Sequence, residues 1–279
     1  MGVAFDNDAY IDRAVGHFFQ LTQRPWEQAA SPLRLAPHVY YVGGSWVGTT
    51  LIDTGDGLVL IDTGMPSQLY QIFEGIRILG FDPRQIKKVL ISHGHYDHVG
   101  AAKAVIEYTG ARLYGAREDL AAFEGRSPED LHNRSEYYTG VTPDEFYSDD
   151  RPVIQGNMVI RTKLTAGHTP GTTSFFFEDK GADGRVIRLG LHGGLGPNTL
   201  AGQDEKAYAA RMIYRRNIME MIDWPIDVVC SNHPAMADLY ERAARNADSE
   251  EPFYDPQVWP KMLKRYLAML DDLEAKETK

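Results

Sequence analysis

Three histidines and one aspartate lie within the segment HGHYDH, which spans residues 93–98. An apolar run over residues 88–91 precedes the segment and predicts a buried strand, and a helical pattern follows it. Open α/β sheets place functional groups where the end of a strand meets the start of a helix. Because imidazole and carboxylate groups bind divalent metal ions, this spacing predicts a metal site rather than a row of loop histidines exposed to solvent.

The single cysteine, Cys230, limits the kinds of site that the chain can build. One thiol cannot form a disulfide within the chain, and it cannot supply a zinc or iron–sulfur site that needs several thiolates. Any metal ion must therefore be held by histidine and carboxylate side chains. Further histidines are His168 in the motif GHTPG, His192 before two glycines and His233 in the motif NHP.

Short strands and helices have to position these groups. The apolar pattern predicts strands over residues 38–42, 49–53, 58–62, 89–92, 112–114, 158–164, 173–177, 186–191 and 227–230. Helical spacing predicts helices over residues 66–79, 101–108, 203–222 and 234–246, and one within residues 1–35 that leads into a proline-rich stretch. This order of elements is typical of an α/β protein.

Two further segments accompany this pattern. Residues 124–150 are polar with little periodicity, which predicts an insertion or lid. This segment, with Phe146 and Tyr147 near its end, is expected to shape the substrate cleft, and the alternative is an ordinary surface excursion. Residues 256–275 predict a C-terminal helix whose apolar stripe covers the core. Because no Gly/Ser-rich linker or internal repeat divides the chain, residues 1–279 are predicted to form a single domain.

Composition and charge exclude several classes of protein. Apolar residues make up 43% of the chain, enough for a sizeable core, and no uninterrupted apolar stretch is long enough to predict a membrane span. The 39 acidic residues outnumber the 29 basic ones, and the net charge of −10 has the wrong sign for a general nucleic-acid-binding protein. A small molecule is therefore the expected partner, and the oligomeric state is left open.

The N-terminal segment bears on the cellular compartment. It carries Asp6, Asp8 and Asp12 where a signal peptide has a basic start followed by an apolar run. As written, the chain is predicted to be cytoplasmic. The same N-terminus would follow from removal of an export signal, and the protein would then be periplasmic or secreted.

Four motifs occur in the order in which they follow one another in the metallo-β-lactamase superfamily. The chain resembles that superfamily over residues 38–235, through LIDTG at 60–64, HGHYDH at 93–98, GHTPG at 167–171 and NHP at 232–234. It is most similar to the third subclass of metallo-β-lactamases, whose zinc site lacks a cysteine ligand. The resemblance implies an α/β fold, the four-layer αββα sandwich of two mixed β-sheets flanked by helices.

The resemblance also implies the metal ligands and the reaction. Two zinc ions are expected, one bound by His93, His95 and His168 and the other by Asp97, His98 and His233. Each would have three protein ligands and an open position, which is the catalytic rather than the structural arrangement. A zinc-bound hydroxide, oriented by the catalytic Asp97, would attack the carbonyl of a β-lactam or a related cyclic amide or ester. Iron or another divalent metal is the alternative to zinc.

Three features near these ligands allow more than one interpretation. Asp62 resembles the acid that fixes a ligand imidazole by a hydrogen bond, but an aspartate at a strand end also forms an Asx turn. His192 stands where most hydrolases of the superfamily carry an aspartate that bridges the metals. Several roles are open for His192. The functional ones are an extra catalytic or ligand group, a proton shuttle and an anchor for a substrate carboxylate. The alternative is a structural histidine bonded to backbone. Gly193 and Gly194 let the backbone approach a substrate closely, or simply form a tight turn.

The missing bridging aspartate leaves two hydrolase hypotheses. The first is a metallo-β-lactamase, which would carry a link to antibiotic resistance. The second is a cytoplasmic hydrolase of another ester, lactone or amide, with weak or no β-lactamase activity. A redox enzyme is disfavoured because the di-iron relatives have glutamate where this chain has His95. A noncatalytic descendant is disfavoured because such proteins usually lose ligands, and all six expected ones are present.

Overall fold

The computed structural model describes residues 22–126, 140–181 and 183–277. Within these residues the strands form two β-sheets. The first contains, in spatial order, β1 (Leu33–Ala36), β2 (Val39–Gly43), β3 (Gly48–Asp53), β4 (Leu58–Ile61), β5 (Ile86–Leu90), β6 (Arg112–Gly115) and β7 (Glu145–Phe146). The second contains β12 (Val228–Cys230), β11 (Val186–Leu191), β10 (Thr173–Lys180), β9 (Met158–Leu164) and β8 (Val153–Gln155).

Both sheets are mixed, and their strand directions bring the predicted site together. Strands β4, β5, β6 and β7 pair parallel, as do β11 and β12, whereas the other described pairs are antiparallel. Parallel neighbours end at the same edge of a sheet. Asp62 after β4 therefore lies beside the end of β5, and its backbone N–H donates to the backbone oxygen of Leu90 at 2.8 Å.

Helices cover the outer face of each sheet. Val42 of the first sheet packs in one buried cluster with Ile72 and Val105. A second buried cluster joins Ile61 of the first sheet to Phe175 of the second and extends to the later helices. The described helices are α1 (Leu69–Ile78), α2 (Tyr96–Val99), α3 (Ala102–Thr109), α4 (Leu120–Phe123), α5 (Glu205–Met221), α6 (Leu239–Arg245) and α7 (Val258–Glu277). The layers run helix, sheet, sheet, helix, and this confirms the predicted αββα sandwich.

Most predicted elements are present with small shifts at their ends, but one predicted helix is broken and several short elements were not predicted. The single helix predicted over residues 234–246 is wrong, because the chain forms a 3₁₀ turn at Pro234–Met236 and α6 begins only at Leu239. Asp238 between them has φ of 50°, a left-handed conformation that interrupts a helix. The helix predicted within residues 1–35 falls largely on residues 1–21, outside the described residues. Strands β1, β7 and β8 and the short helices α2 and α4 were not predicted.

The polar segment over residues 124–150 is described only in part, since its residues 127–139 lie outside the described residues. Its second half forms β7 at the edge of the first sheet. The Tyr147 hydroxyl donates to the backbone oxygens of Ile91 and Tyr114, each at 3.1 Å. The Arg117 guanidinium carbon lies 4.0 Å from the centre of the Phe146 ring. Both aromatic side chains thus fix this edge strand to the sheet.

Helix α7 lies where the sequence predicts a C-terminal helix, and it packs on the second sheet. Trp259 is fully buried, and its indole nitrogen donates to the backbone oxygen of Met221 at 2.8 Å. The Arg215 guanidinium of α5 lies 2.7 Å from the carboxylate of Asp271 and 2.9 Å from that of Glu274. No described helix is long and apolar enough to cross a membrane. That all residues form one domain stays a prediction.

Candidate metal centre

The first three predicted ligands, His93, His95 and His168, lie together at the carboxyl ends of β5 and β9. One nitrogen from each ring is within 4.8 Å of the others. The Nε2 of His93 lies 3.0 Å from the Nδ1 of His95, and the rings of His93 and His168 have centres 4.7 Å apart. We call these residues the first cluster.

The other three predicted ligands, Asp97, His98 and His233, form a second cluster whose ligand atoms also lie within 4.8 Å of one another. The Nε2 atoms of His98 and His233 are 3.2 Å apart. The Oδ2 of Asp97 lies 3.3 Å from the Nε2 of His233 and 3.5 Å from that of His98. The ring centres of His93 and His98 are 4.0 Å apart, so the two clusters are adjacent.

In four of these imidazoles, the Nδ1 atom faces away from its cluster and is close to an oxygen. The Nδ1 atoms of His93, His98, His168 and His233 lie 3.0, 2.7, 2.7 and 2.9 Å from the Ser92 hydroxyl, the Asp62 carboxylate and the backbone oxygens of Gly196 and Trp46, respectively. Backbone oxygens and a carboxylate only accept hydrogen bonds, and the Ser92 hydroxyl gives its own proton to Asp62, so Nδ1 carries a proton in all four rings. In the neutral ring, Nε2 therefore directs a lone pair towards its cluster.

The surroundings shift the pKa values of several of these groups. Burial, together with the neighbouring His98, holds the pKa of His93 well below its usual value, and burial together with His95 does the same for the pKa of His168. Burial acts to raise the pKa of Asp97, but His98 and His233 beside it bring that pKa well below the ordinary range. Burial acts to lower the pKa of His98, but the carboxylates of Asp97 and Asp62 raise it above its usual value. His93 and His168 are thus neutral and Asp97 is ionised, as metal ligands need.

This arrangement fits divalent cations. The Nε2 atoms of His98 and His233 lie 3.2 Å apart beside the carboxylate of Asp97, and a positive charge between these groups stabilises the arrangement. The donor set contains nitrogen and oxygen atoms and no sulfur, which suits zinc and other divalent transition metals. Three protein ligands in each cluster leave room for a further ligand from the cavity above them.

Asp62 lies beneath the second cluster and holds the imidazole of His98. It is fully buried, with φ of 69°, a conformation that aspartate tolerates better than most residues. Its carboxylate accepts hydrogen bonds from the backbone N–H and the hydroxyl of Ser92, each at 2.7 Å, and from the side-chain amide of Asn232. Of the two interpretations of Asp62, the contact with the imidazole is the one present. Asn232 was not predicted, because nothing in the sequence places it near residue 62.

Asp119 is a further residue that the sequence did not reveal, and it ties together the two loops that carry the first cluster. Its carboxylate accepts from the backbone N–H of Gly94 at 2.8 Å, from that of Gly171 at 2.7 Å and from the hydroxyl of Thr169 at 2.7 Å. Gly94 lies between two ligands, and Thr169 follows a third. Asp119 is 3% exposed, and burial raises the pKa of its carboxyl against the effect of these donors. An aspartate before a short helix looks like an ordinary cap in the sequence.

The Asp119→Asn variant is expected to bind metal at the first cluster about 10- to 100-fold more weakly, the range found for groups that orient metal ligands. Asparagine keeps the shape of aspartate, but its side-chain NH₂ group donates hydrogen bonds and cannot accept them. This group has to face either the N–H of Gly171 or the N–H of Gly94 and the hydroxyl of Thr169, and the donors that it faces lose their acceptor. Competition with a chromogenic chelator measures the affinity. Glu118→Gln on the same turn is the matched control, and an unchanged affinity in Asp119→Asn would refute this positioning role.

His192 lies near the clusters but does not belong to either group of ligand atoms. The backbone N–H of Gly194 donates to its Nδ1 at 3.3 Å, and its Nε2 has no hydrogen-bond partner. Burial, with His168 nearby, lowers the pKa of His192 to about 3. Because Nδ1 accepts a hydrogen bond in this neutral ring, Nε2 carries the proton and is a donor rather than a metal ligand.

The two glycines after His192 are required by contacts within the protein. A Cβ atom on Gly193 would lie 2.0 Å from the backbone oxygen of Thr173, and one on Gly194 would lie 2.5 Å from the Cδ2 of His168. Any side chain at position 194 would therefore push a predicted ligand out of place. At these two glycines the backbone closely approaches other protein atoms. Both glycines also border the cavity described next.

A cavity of about 1450 Å³ opens above both clusters and is bordered by all six predicted ligands. Helix α5 forms one side of it, and Met236 and Tyr266 lie on another. Phe146 and Tyr147, near the end of the segment expected to shape this cleft, pack at the sheet edge and do not border the cavity. Because residues 127–139 of that segment lie outside the described residues, its role in shaping the cleft stays a prediction.

Comparisons with known proteins agree with this geometry. Residues 47–186 match the family model of the Metallo-beta-lactamase superfamily. Among solved structures, BJP-1, a subclass B3 metallo-beta-lactamase of Bradyrhizobium japonicum, is 26% identical with a TM-score of 0.83, over 92% of this chain and 98% of that chain.

Two curated relatives match a shorter region. The probable metallo-hydrolase YflN of Bacillus subtilis is 26% identical over 47% of this chain and 54% of its own length. The N-acyl homoserine lactonase AttM of Agrobacterium fabrum is 31% identical over 36% of this chain and 39% of its own length. The chain thus spans about half the length of the curated relatives it matches, or less.

Proposed function

Since this chain belongs to the metallo-β-lactamase superfamily, we propose that it is a zinc-dependent hydrolase that opens a β-lactam or a related cyclic amide or ester. One observation carries the proposal: two adjacent clusters of three ligand atoms border the same cavity. The first zinc ion would be held by His93, His95 and His168, and the second by Asp97, His98 and His233. Iron or another divalent metal is the alternative occupant.

Divalent metal ions held here would lower the pKa of a coordinated water and polarise the carbonyl oxygen of a substrate. The ionised Asp97 borders the cavity and is placed to orient the attacking water and to accept its proton. In the hydrolysis, the water oxygen bonds to the carbonyl carbon and the bond to the leaving nitrogen or oxygen breaks. The leaving atom then takes up the proton. His192, with its proton on Nε2, would serve as a fixed donor to a substrate oxygen.

A second candidate is a hydrolase of another ester, lactone or amide with weak or no β-lactamase activity. Two observations favour it. The strand end at residues 192–194 carries neither a carboxylate nor a hydroxyl group that could help to hold a β-lactam. In addition, the relatives include proteins named N-acyl homoserine lactonase and hydroxyacylglutathione hydrolase.

Turnover of a chromogenic cephalosporin and of a carbapenem by the zinc-reconstituted protein tests the proposal. Chelated protein and the His93→Ala variant serve as controls. Chelator-sensitive hydrolysis with kcat/KM on the order of 10⁵ M⁻¹ s⁻¹ or above would support a β-lactamase, and only that result would connect the chain with antibiotic resistance. Activity at least a thousandfold lower, with metal bound, would favour the second candidate.

A further inference from the structure

The cavity above the clusters is larger than the reacting groups require. Its volume of about 1450 Å³ exceeds the roughly 300–1,000 Å³ of typical small-molecule sites, and the six predicted ligands border only part of it. The rest of the cavity extends along helix α5. This part of the wall contacts whatever substituents the substrate carries beyond the bond that is cleaved.

The wall along α5 is apolar even though it faces an open cleft. Ala207, Ala210 and Ile213 follow one another on the helix face that borders the cavity, and Leu164 and Met236 border other parts of it. None of these five side chains is fully buried. Apolar surface that stays accessible at the bottom of a cleft indicates binding of an apolar group. The short alanine side chains leave the width that such a group needs.

The charged side chains of the wall are balanced. Lys206 and Arg265 border the cavity together with Glu118 and Asp204, whereas Asp97 is a predicted ligand and Asp119 is buried and bonded to the ligand loops. The Arg265 guanidinium is engaged, since it donates to the backbone oxygen of Met236 and lies 3.6 Å from a carboxylate oxygen of Asp238. A charged group at the end of an acyl chain would lose its hydration against the apolar residues of this wall.

From these observations we infer that the substrate is an ester, open or cyclic, whose acyl part is an uncharged, apolar chain of several carbons lying against Ala207, Ala210 and Met236. This inference rests on the proposed function and favours its second candidate, a hydrolase of another ester or lactone. The ester bond is cleaved by water: the acyl carbon gains the hydroxyl oxygen, and the alcohol oxygen leaves with a proton.

A series of p-nitrophenyl esters tests the inference on the zinc-reconstituted protein. The acyl groups are acetyl, butanoyl and hexanoyl, and the charged counterpart of the hexanoyl ester is the monoester of adipic acid, which has the same chain length. Burial of one methylene contributes a factor of up to about four. We therefore expect kcat/KM to rise at least about tenfold from acetyl to hexanoyl, and to fall at least about tenfold from the hexanoyl ester to the adipate monoester.

Variants locate the acyl group. Ala210→Phe fills the α5 side of the cavity and is expected to lower the ratio of hexanoyl to acetyl kcat/KM at least about fivefold, by reversing part of the gain per buried methylene. Ala104→Phe, on the exposed side of α3 away from the cavity, is expected to keep the native ratio. Circular dichroism establishes that both variants are folded. The ester series on the unaltered chain tests the inference even if a variant does not fold.

The outcomes separate the inference from the proposed function. Chelator-sensitive hydrolysis of the esters without a rise along the series, or with a preference for the adipate monoester, overturns the inference and leaves the metallohydrolase intact. Absence of chelator-sensitive hydrolysis of both the esters and the β-lactams, with metal bound, overturns both.

Discussion

The His168→Ala variant is expected to lose hydrolytic activity by a factor of about 10³ or more. His168 is the one member of the first cluster that comes from the loop after β9, so its removal leaves only the two nitrogens of the β5 loop to hold a metal ion. A metal ion contributes several kcal/mol to transition-state stabilisation, and about 1.4 kcal/mol corresponds to a factor of ten in rate. The measurement is kcat/KM together with the metal content of the purified variant.

His38→Ala is the matched control for this variant. His38 is also paired with a carboxylate, since its Nδ1 lies 2.7 Å from an oxygen of Asp179, but it is outside both clusters. We expect this control to keep the metal content and kcat/KM of the unaltered chain. If the His168→Ala protein keeps more than about a tenth of the activity, the first cluster is not the catalytic site. A factor of ten in rate corresponds to about 1.4 kcal/mol.

The Asp62→Ala variant is expected to lower the free energy of unfolding by about 3 kcal/mol or more and to weaken metal binding at the second cluster about 10- to 100-fold. Removal of this buried carboxylate leaves the backbone N–H of Ser92, the side-chain amide of Asn232 and the Nδ1–H of His98 without their acceptor. Each buried donor without a partner costs about 1–3 kcal/mol. Urea denaturation of the metal-free protein isolates the stability effect, and chelator competition measures the affinity.

Asp62→Asn keeps the measurement informative if the alanine variant does not fold. Asparagine tolerates the positive φ of this position, but its single side-chain oxygen cannot replace a carboxylate that accepts four hydrogen bonds. We expect an intermediate loss of metal affinity in this variant. Asp56→Ala, in the exposed turn before β4, is the control. Native metal affinity in both Asp62 variants would contradict a positioning role for Asp62.

Local sequence and the family resemblance together pointed to the residues that the structure gathers into the two clusters. The segment HGHYDH follows a buried strand, and its spacing alone places several ligand groups at one strand end. The motifs GHTPG and NHP supplied the remaining two histidines through the family resemblance, and the mixed strand order of the sandwich followed from the same source. The groups of HGHYDH lie close together because a strand end and its loop are specified by residues near in sequence.

The contacts that hold the ligands could not be predicted in the same way. Asn232 bonds to Asp62 across 170 positions, and Asp119 bonds to Gly171 across 52. No periodicity links such distant residues, because their proximity results from how the two sheets and their loops pack. The protonation of His192 is a similar case. Its Nε2 carries the proton because the backbone N–H of Gly194 donates to Nδ1, and only the folded turn directs that N–H at the ring.

By itself, the sequence determined from residue type and local spacing that the segment HGHYDH offers ligand groups at one strand end, and through its resemblance to the superfamily it implied the six candidate ligands, the class of chemistry and the layered fold. Only the tertiary structure decided which carboxylates position the ligands and which side chains form the cavity wall. Ala210 on α5, Leu164 at the end of β9 and Met236 before α6 are far apart in the chain, and nothing about an alanine or a leucine in sequence indicates that it faces a substrate. Substrate preference is therefore decided by the packing of separate elements around the cavity, whereas the metal site follows from motifs that the chain carries locally.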